Sequence, residues 1–181
     1  MDIIGFKKHI LPLNGRLYHY AYMLLKEKSE AEDAVQEVCL RLWKIKESLE
    51  QYNSLEAFAF KMTRNWCLDR IKARKPIYIE SYNSWYDQKT DANDPHEALE
   101  HSDNLNLLFT LMNKLPEQQR DILQLREIEN KEFDEIAEIM DMNVNAVRVN
   151  LSRARNKIRE EMSKFETNGK QSNSSITRKI L

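Results

Sequence analysis

Three observations predict an all-α protein of two small helical domains joined by an acidic linker. Gly occurs three times and Pro four times in 181 residues, so helix breakers are scarce. Apolar residues recur at spacings of three and four along most of the chain, the period of a helix with one buried face. One internal stretch, residues 76–93, lacks that period, which splits the helices into two blocks. The expected organisation is a first domain over 1–75, a linker over 76–93, a second domain over 94–165 and a polar, disordered tail over 166–181.

In the first block Ile3, Ile4, Phe6 and Ile10 open a helix that Pro12 and Gly15 break. Leu17, Tyr18, Ala21, Met23, Leu24 and Leu25 resume it to about Lys28. Ser29–Glu32 reads as a capping box starting the next helix. There Val35, Val38, Leu42, Ile45 and Leu49 form one continuous stripe. After QYNS, Ser54 is the expected N-cap of a helix over Leu55–Arg74, ended by Pro76. Residues 76–103 hold seven acids against Lys89 alone, a net charge of −6. Tyr78, Tyr82, Trp85 and Tyr86 lie among them.

The second block opens at Asp94-Pro-His-Glu97, a capping box with Pro95 at the first helical position, and its helix runs to about Asn113. LPEQQ starts another, expected to reach Ile128. Two more follow, over Phe133–Met140 and Val144–Glu161. Ile136, Ala137 and Met140 make an apolar face on the first of these, and Val144, Val147, Leu151, Ala154 and Ile158 make one on the second. Asp141 tolerates a left-handed turn, and Asn143 can cap the second helix. This is the spacing of a helix-turn-helix.

Lys plus Arg is 28 and Asp plus Glu is 29, a net charge of −1. A polyanion responds to local patches rather than to that average. The last helix carries Arg148, Arg153, Arg155, Lys157 and Arg159. Charge together with turn spacing favours duplex DNA binding over a solvated basic face. Asn145, Arg148, Val149 and Ser152 lie at its N-terminal, base-reading end, and Arg148 can pair bidentately with guanine. A second basic segment, residues 61–75, has six cations against Asp69, a net of +5, with Phe58, Phe60 and Trp66 interleaved. Cations with aromatics suit single-stranded DNA. The competing reading buries Phe58, Met62 and Trp66, four residues apart, as core.

No carboxylate pair, metal cluster, nucleophile motif or phosphate loop supports an enzyme, so no catalytic residue, metal, cofactor or small-molecule substrate is expected. Cys39 and Cys67 have no disulfide or ligand spacing and read as small apolar residues in a reducing cytoplasm. No run of about 18 apolar residues predicts a membrane span, and the N-terminal MDIIGFKKHILPLNG predicts no signal peptide.

EDAVQEVCLRLWK followed by LEAFAFKMTRNWCLDRIKARK resembles region 2 of the extracytoplasmic-function (ECF) type of bacterial RNA polymerase sigma factor, in the sigma-70 family. LPEQQRDILQLREIENKEFDEIAEIMDMNVNAVRVNLSRARNKIRE resembles region 4. The resemblance covers about Leu17 to Glu161, and both motifs in this order are highly specific. It implies a factor that binds core RNA polymerase and directs promoter recognition, DNA melting and transcription initiation. Asp33, Gln36, Glu37 and Arg41 would dock on the beta-prime coiled coil, and the second domain on the beta flap. Arg64, Asn65, Asp69, Lys72 and Arg74, with Asn53 and Ser54 of the preceding loop, would read the −10 element and capture a flipped base. Asn145, Arg148, Val149, Ser152, Arg153 and Arg155 would read the −35 duplex. An anti-sigma factor is a further implied partner. Ala146, Val149 and Asn150 depart from the family's usual residues, so the resemblance does not fix which duplex sequence is read. The alternative is a free-standing helix-turn-helix regulator that binds duplex DNA without polymerase. It predicts nothing for Asn65, Asp69 or the Asp33–Arg41 face.

Overall fold

The structure is a computed structural model that describes residues 2–74 and 107–168. The expected linker, the Asp94 capping box and most of the expected tail lie outside these residues. The described residues are helical, with no strand among them. The elements are α1 (Ile3–His9), α2 (Asn14–Leu25), α3 (Lys28–Lys44), α4 (Leu55–Ala73), α5 (107–113), α6 (Glu117–Leu123), α7 (Phe133–Met140) and α8 (Val144–Asn168). Short 3-10 turns occupy Leu11–Leu13 and Leu49–Gln51, and a π-helical turn occupies Gln124–Ile128.

Packing divides the chain into two compact units. Among the described residues, the first joins 2–74 to 124–147 and the second joins 107–123 to 148–168. In the first, α2, α3 and α4 pack on one another around Leu17, Tyr20, Ala34, Val38, Leu42 and Phe60, all fully buried. Against α4 packs α7, which buries Ile136, Ile139 and Met140. In the second unit the buried residues include Leu111, Met112, Ile122, Leu151, Ala154 and Ile158.

Local chemistry starts and stops these helices. Lys26 takes a left-handed conformation (φ 60°) and closes α2. The next helix then begins at once. The Glu27 carboxylate accepts from the Ser29 and Glu30 amides at 3.1 and 2.7 Å, while Ser29 Oγ donates to it at 2.8 Å. The expected Ser29–Glu32 capping box is therefore corrected: Glu27 is the N-cap, and its side chain reaches two orphan amides two and three residues on. The stripe to Leu49 also divides. Helix α3 stops at Lys44, and Ser48 Oγ donates to the Ile45 carbonyl at 2.9 Å. Leu49 is buried all the same, from a 3-10 turn. Ser54 caps α4 as expected, accepting from the Ala57 amide at 3.1 Å.

Beyond Leu123 the expected continuous helix widens. Glu129 N donates to the Gln124 carbonyl at 3.1 Å and Lys131 N to the Leu125 carbonyl at 2.9 Å. Asn130 takes φ 52°. This broad turn swings the Glu129 and Lys131 side chains into buried positions. At the far end, α8 runs to Asn168, beyond the expected ends at Glu161 and Phe165.

Candidate nucleic-acid interface

The α7–α8 turn is built by three residues. Asp141 adopts φ 52°, ψ 48°, so the chain turns sharply, and the Met142 amide donates to the Ala137 carbonyl at 3.0 Å. Asn143 Oδ1 then accepts from the Ala146 amide at 2.8 Å and starts α8. Val147, Leu151, Ala154 and Ile158 are buried along one side of α8. Asn145, Arg148, Val149, Ser152 and Arg153 are exposed on the other, with Arg155 half-buried beside them. Val149 is 47% exposed, an apolar side chain on a face of otherwise polar readers; a thymine methyl group would suit it.

On α4 the buried residues are Ala57, Ala59, Phe60, Thr63 and Cys67. Phe58, Met62 and Trp66 are only half-buried, so the core reading of that trio is set aside. Phe58 stacks on Tyr52 with ring centroids 3.8 Å apart, and the Arg70 guanidinium lies 6.0 Å from the Trp66 ring. Lys61, Arg64, Asn65, Asp69 and Lys72 follow helical spacing along one stripe of α4; Asn65, Asp69 and Lys72 are exposed.

Two residues grouped with them on sequence are otherwise engaged. Arg74 ion-pairs with Glu30 and donates to the Leu25 carbonyl at 3.0 Å, satisfying the end of α2. Ser54, besides capping α4, donates to Glu135 of α7 at 2.8 Å. Asn53 is exposed in the turn before them.

A third surface lies on the outer side of α3. Asp33, Gln36 and Arg41 are exposed, and Arg41 Nε donates to Glu37 at 2.8 Å. Leu40, 55% exposed, sits among them. Sequence reading passed over Leu40, and it counted Lys61 in the basic segment without finding its partner. The signal for Leu40 was available, since 33, 36/37 and 40/41 step by three and four onto the polar side. Lys61 ion-pairs with Asp141, a contact across 80 residues that no local pattern announces.

Charged groups also meet where 129–135 faces α2 and α4. Arg16 Nε donates to Glu129 Oε2 at 2.9 Å and its Nη2 to the Glu129 carbonyl at 2.6 Å. Arg16 also pairs with Glu56. Lys131 Nζ lies 2.5 Å from Glu56 and 4.0 Å from Glu135, and 4.8 Å over the Phe60 ring. Burial pushes the Glu129 carboxyl above its ordinary pKa, with Arg16 offsetting part of the effect. Burial also opposes ionisation of Glu135. Hydrogen bonds from the Glu132 amide and the Ser54 hydroxyl outweigh it, and the net direction is downward.

Among the described residues no group of His, Cys, Asp and Glu could hold a metal ion. No helix among them is long and apolar enough to cross a membrane. Cys67 is buried and Cys39 half-buried, neither is in a disulfide, and Cys39 Sγ donates to Asn14 Oδ1 at 3.1 Å. Burial raises the Cys39 thiol pKa, the opposite of an activated cysteine.

Comparison with known proteins identifies the family. Residues 11–77 match the family model for Sigma-70 region 2, and residues 105–158 match that for Sigma-70, region 4. The ECF RNA polymerase sigma factor SigE of Mycolicibacterium smegmatis is 29% identical over 161 residues, covering 87% of this chain and 61% of the relative. SigW of Bacillus subtilis, also an ECF RNA polymerase sigma factor, is 24% identical, covering 81% of this chain and 83% of the relative. The chain thus spans about three fifths of the SigE relative's length. Among solved structures, the sigma factor RpoE in complex with the anti-sigma factor NepR from Bartonella quintana superposes with a TM-score of 0.69 at 21% identity. That match covers 89% of this chain and 98% of the other. CnrH in complex with the cytosolic domain of CnrY gives 0.63 at 18% identity, covering 90% of each chain. The fold is that of an all-helical protein with a helix-turn-helix. This chain belongs to the sigma-70 family and is a sigma factor of the ECF type.

Proposed function

We propose that this protein binds core RNA polymerase and directs it to promoters. The observation that carries the reading is the division of α8. Its apolar side is buried, while Asn145, Arg148, Val149, Ser152 and Arg153 face solvent at the end that enters a major groove. In this reading α8 recognises the −35 duplex. The Asn65–Asp69 stripe of α4, with Arg64, Lys72 and Asn53, holds the −10 strand. Half-exposed Phe58 and Trp66 offer it stacking surface. The α3 face of Asp33, Gln36, Glu37 and Arg41, with Leu40 as an apolar anchor, meets the beta-prime coiled coil, and the second domain meets the beta flap. Melting then draws on binding energy to the opened strand, so the protein acts as a regulatory factor and not as a catalyst. An anti-sigma factor is a proposed partner, since the RpoE structure holds the anti-sigma factor NepR and the CnrH structure holds the cytosolic domain of a second protein, CnrY.

The test is run-off transcription on a genomic promoter library with core polymerase and this protein, followed by sequencing of the 5′ ends. Transcripts starting a fixed distance from a shared two-part motif are the expected result. Silence of the polymerase while the protein footprints duplex DNA alone would replace this reading with a free-standing regulator.

A further inference from the structure

Among the described side chains of α8, Val149 is the one exposed apolar residue. Its exposed neighbours Asn145, Arg148, Ser152, Arg153 and Asn156 are all polar. Its direction matters as much as its exposure. At about 100° per residue, the buried stripe of Val147, Leu151, Ala154 and Ile158 centres about 170° from Val149. Val149 therefore projects along the line of α8 farthest from the core, the line that enters deepest into a groove. Arg148 and Arg153 flank that line on either side.

On an ordinary helix surface a lone exposed valine needs no explanation. Here its setting restricts what it can touch. A major groove about 12 Å wide admits a helix whose outermost side chains meet the base edges. Guanine N7 and O6, adenine N7 and N6, and cytosine N4 are polar. Covered by a valine, they would lose water and gain no hydrogen bond. Thymine alone presents a methyl group in that groove. Valine suits it, since its two methyl groups stand close to the backbone on a side chain already restricted to one rotamer in a helix. Val149 is also a point where the chain departs from the family's usual residue, so the preference is this chain's own.

We propose that Val149 is a specificity-determining residue that packs on the 5-methyl group of a thymine in the −35 element, within about two base pairs of the pair read by Arg148. The inference rests on the promoter-binding reading above. Its register follows from chain geometry. Adjacent Cα atoms are ~3.8 Å apart, close to one base-pair rise of ~3.4 Å. The short Val149 side chain meets the base beneath its own Cα, while the longer Arg148 reaches along the groove. The two bases therefore lie near one another.

The experiment uses the full-length chain bound to core polymerase, as wild type, V149A and V149I. Each is titrated with promoter duplexes in which the thymines of the mapped −35 element are replaced, one at a time, by deoxyuridine. That exchange removes the 5-methyl group and keeps both the O4 acceptor and the pairing with adenine. Wild type and V149I should bind one such duplex about fourfold more weakly than the parent, the worth of one buried methyl group. V149A should bind that duplex and the parent equally, both at the weaker level. Ala is the stronger helix former and Val149 is exposed, so V149A is not at risk of unfolding; circular dichroism checks it. Three results overturn the assignment: a wild type indifferent to every deoxyuridine, a V149A that discriminates as the wild type does, or an affected thymine farther than about two pairs from the one Arg148 reads. Each leaves polymerase-dependent transcription standing, so the promoter reading survives. A wild type that neither binds these promoters with core polymerase nor supports transcription removes the promoter reading and the thymine contact together.

Discussion

Asn143 offers a sharp test of how α8 is held for reading. Its side chain accepts from the Ala146 amide at 2.8 Å and its carbonyl accepts from the Val147 amide at 3.1 Å. Replacing an Asn cap by Ala removes the first bond and leaves the second, at a cost of about 1 kcal/mol; Gly costs a few tenths, and Ser nearly nothing. α8 is 25 residues long, so the loss frays only its first turn, which carries Asn145 and adjoins Arg148. A shift of ~1 kcal/mol multiplies the frayed population about fivefold. Apparent affinity scales with the fraction of competent helix, so fivefold is the ceiling on the loss of −35 binding. The assay is equilibrium binding of the polymerase complex to a promoter fragment, alongside amide exchange at Ala146 and Val147 in the free chain. The expected order of affinity is Asn, Ser, Gly, Ala, with exchange accelerating in the same order. A loss well above fivefold, or Ser and Gly as poor as Ala, would refute capping as the role and assign Asn143 a DNA contact of its own.

Arg148→Ala should weaken binding to the −35 duplex by ~1–3 kcal/mol and relax preference at one base pair; competition with single-base promoter variants checks it, and unchanged preference removes Arg148 as a reader. Asn65→Ala should impair open-complex formation, read by permanganate footprinting, while −35 binding is retained; normal melting would undo the base-capture role. Glu161 accepts from Lys164 and from Lys114 of the same unit at 2.7 and 2.9 Å, and these bonds hold its carboxyl pKa at about 2 against an ordinary 4.5. Because the folded value is depressed, its stabilising effect is present above pH 4.5 and is lost as pH falls toward 2. A carboxyl NMR titration should show the depressed value, moving up toward 4.5 in K114M; a wild-type midpoint near 4.5 contradicts the contact.

Much of the α7–α8 turn was legible locally. The stripe Val147, Leu151, Ala154, Ile158, with Asp141 to turn and Asn143 to cap, places both ends of the α7–α8 turn before any coordinates, because each signal acts within four residues. The rotation of α4 was not legible. Phe58, Met62 and Trp66 share helical spacing with one another, and so do Phe60, Thr63 and Cys67. The core takes the second set, together with Ala57 and Ala59, since small residues let α2 and α3 approach. Hydrophobicity favours the larger side chains and so points to the wrong side. The start of α3 was misread because Glu27, an uncommon cap, precedes a Ser that fits the usual motif. The Arg16–Glu129 contact joins residues 113 positions apart. Both residues sit in segments whose charge reads as ordinary surface, so nothing short of the folded chain brings them together.

The chemistry of that contact bears on why it is ionic. A buried ion pair is a poor source of stability, and well-packed apolar residues of the same volume often hold an interface as firmly or more so. Arg16, Glu56, Glu129, Lys131 and Glu135 satisfy one another across the packed elements, but each gives up hydration to do so, and the net stabilisation is smaller than the number of contacts implies. The total charge of −1 for a chain with two basic helices owes most to residues 76–103, whose net is −6. Acids are spent across the fold opposite those cations, at Glu30 for Arg70 and Arg74, at Asp141 for Lys61 and at Glu161 for Lys157.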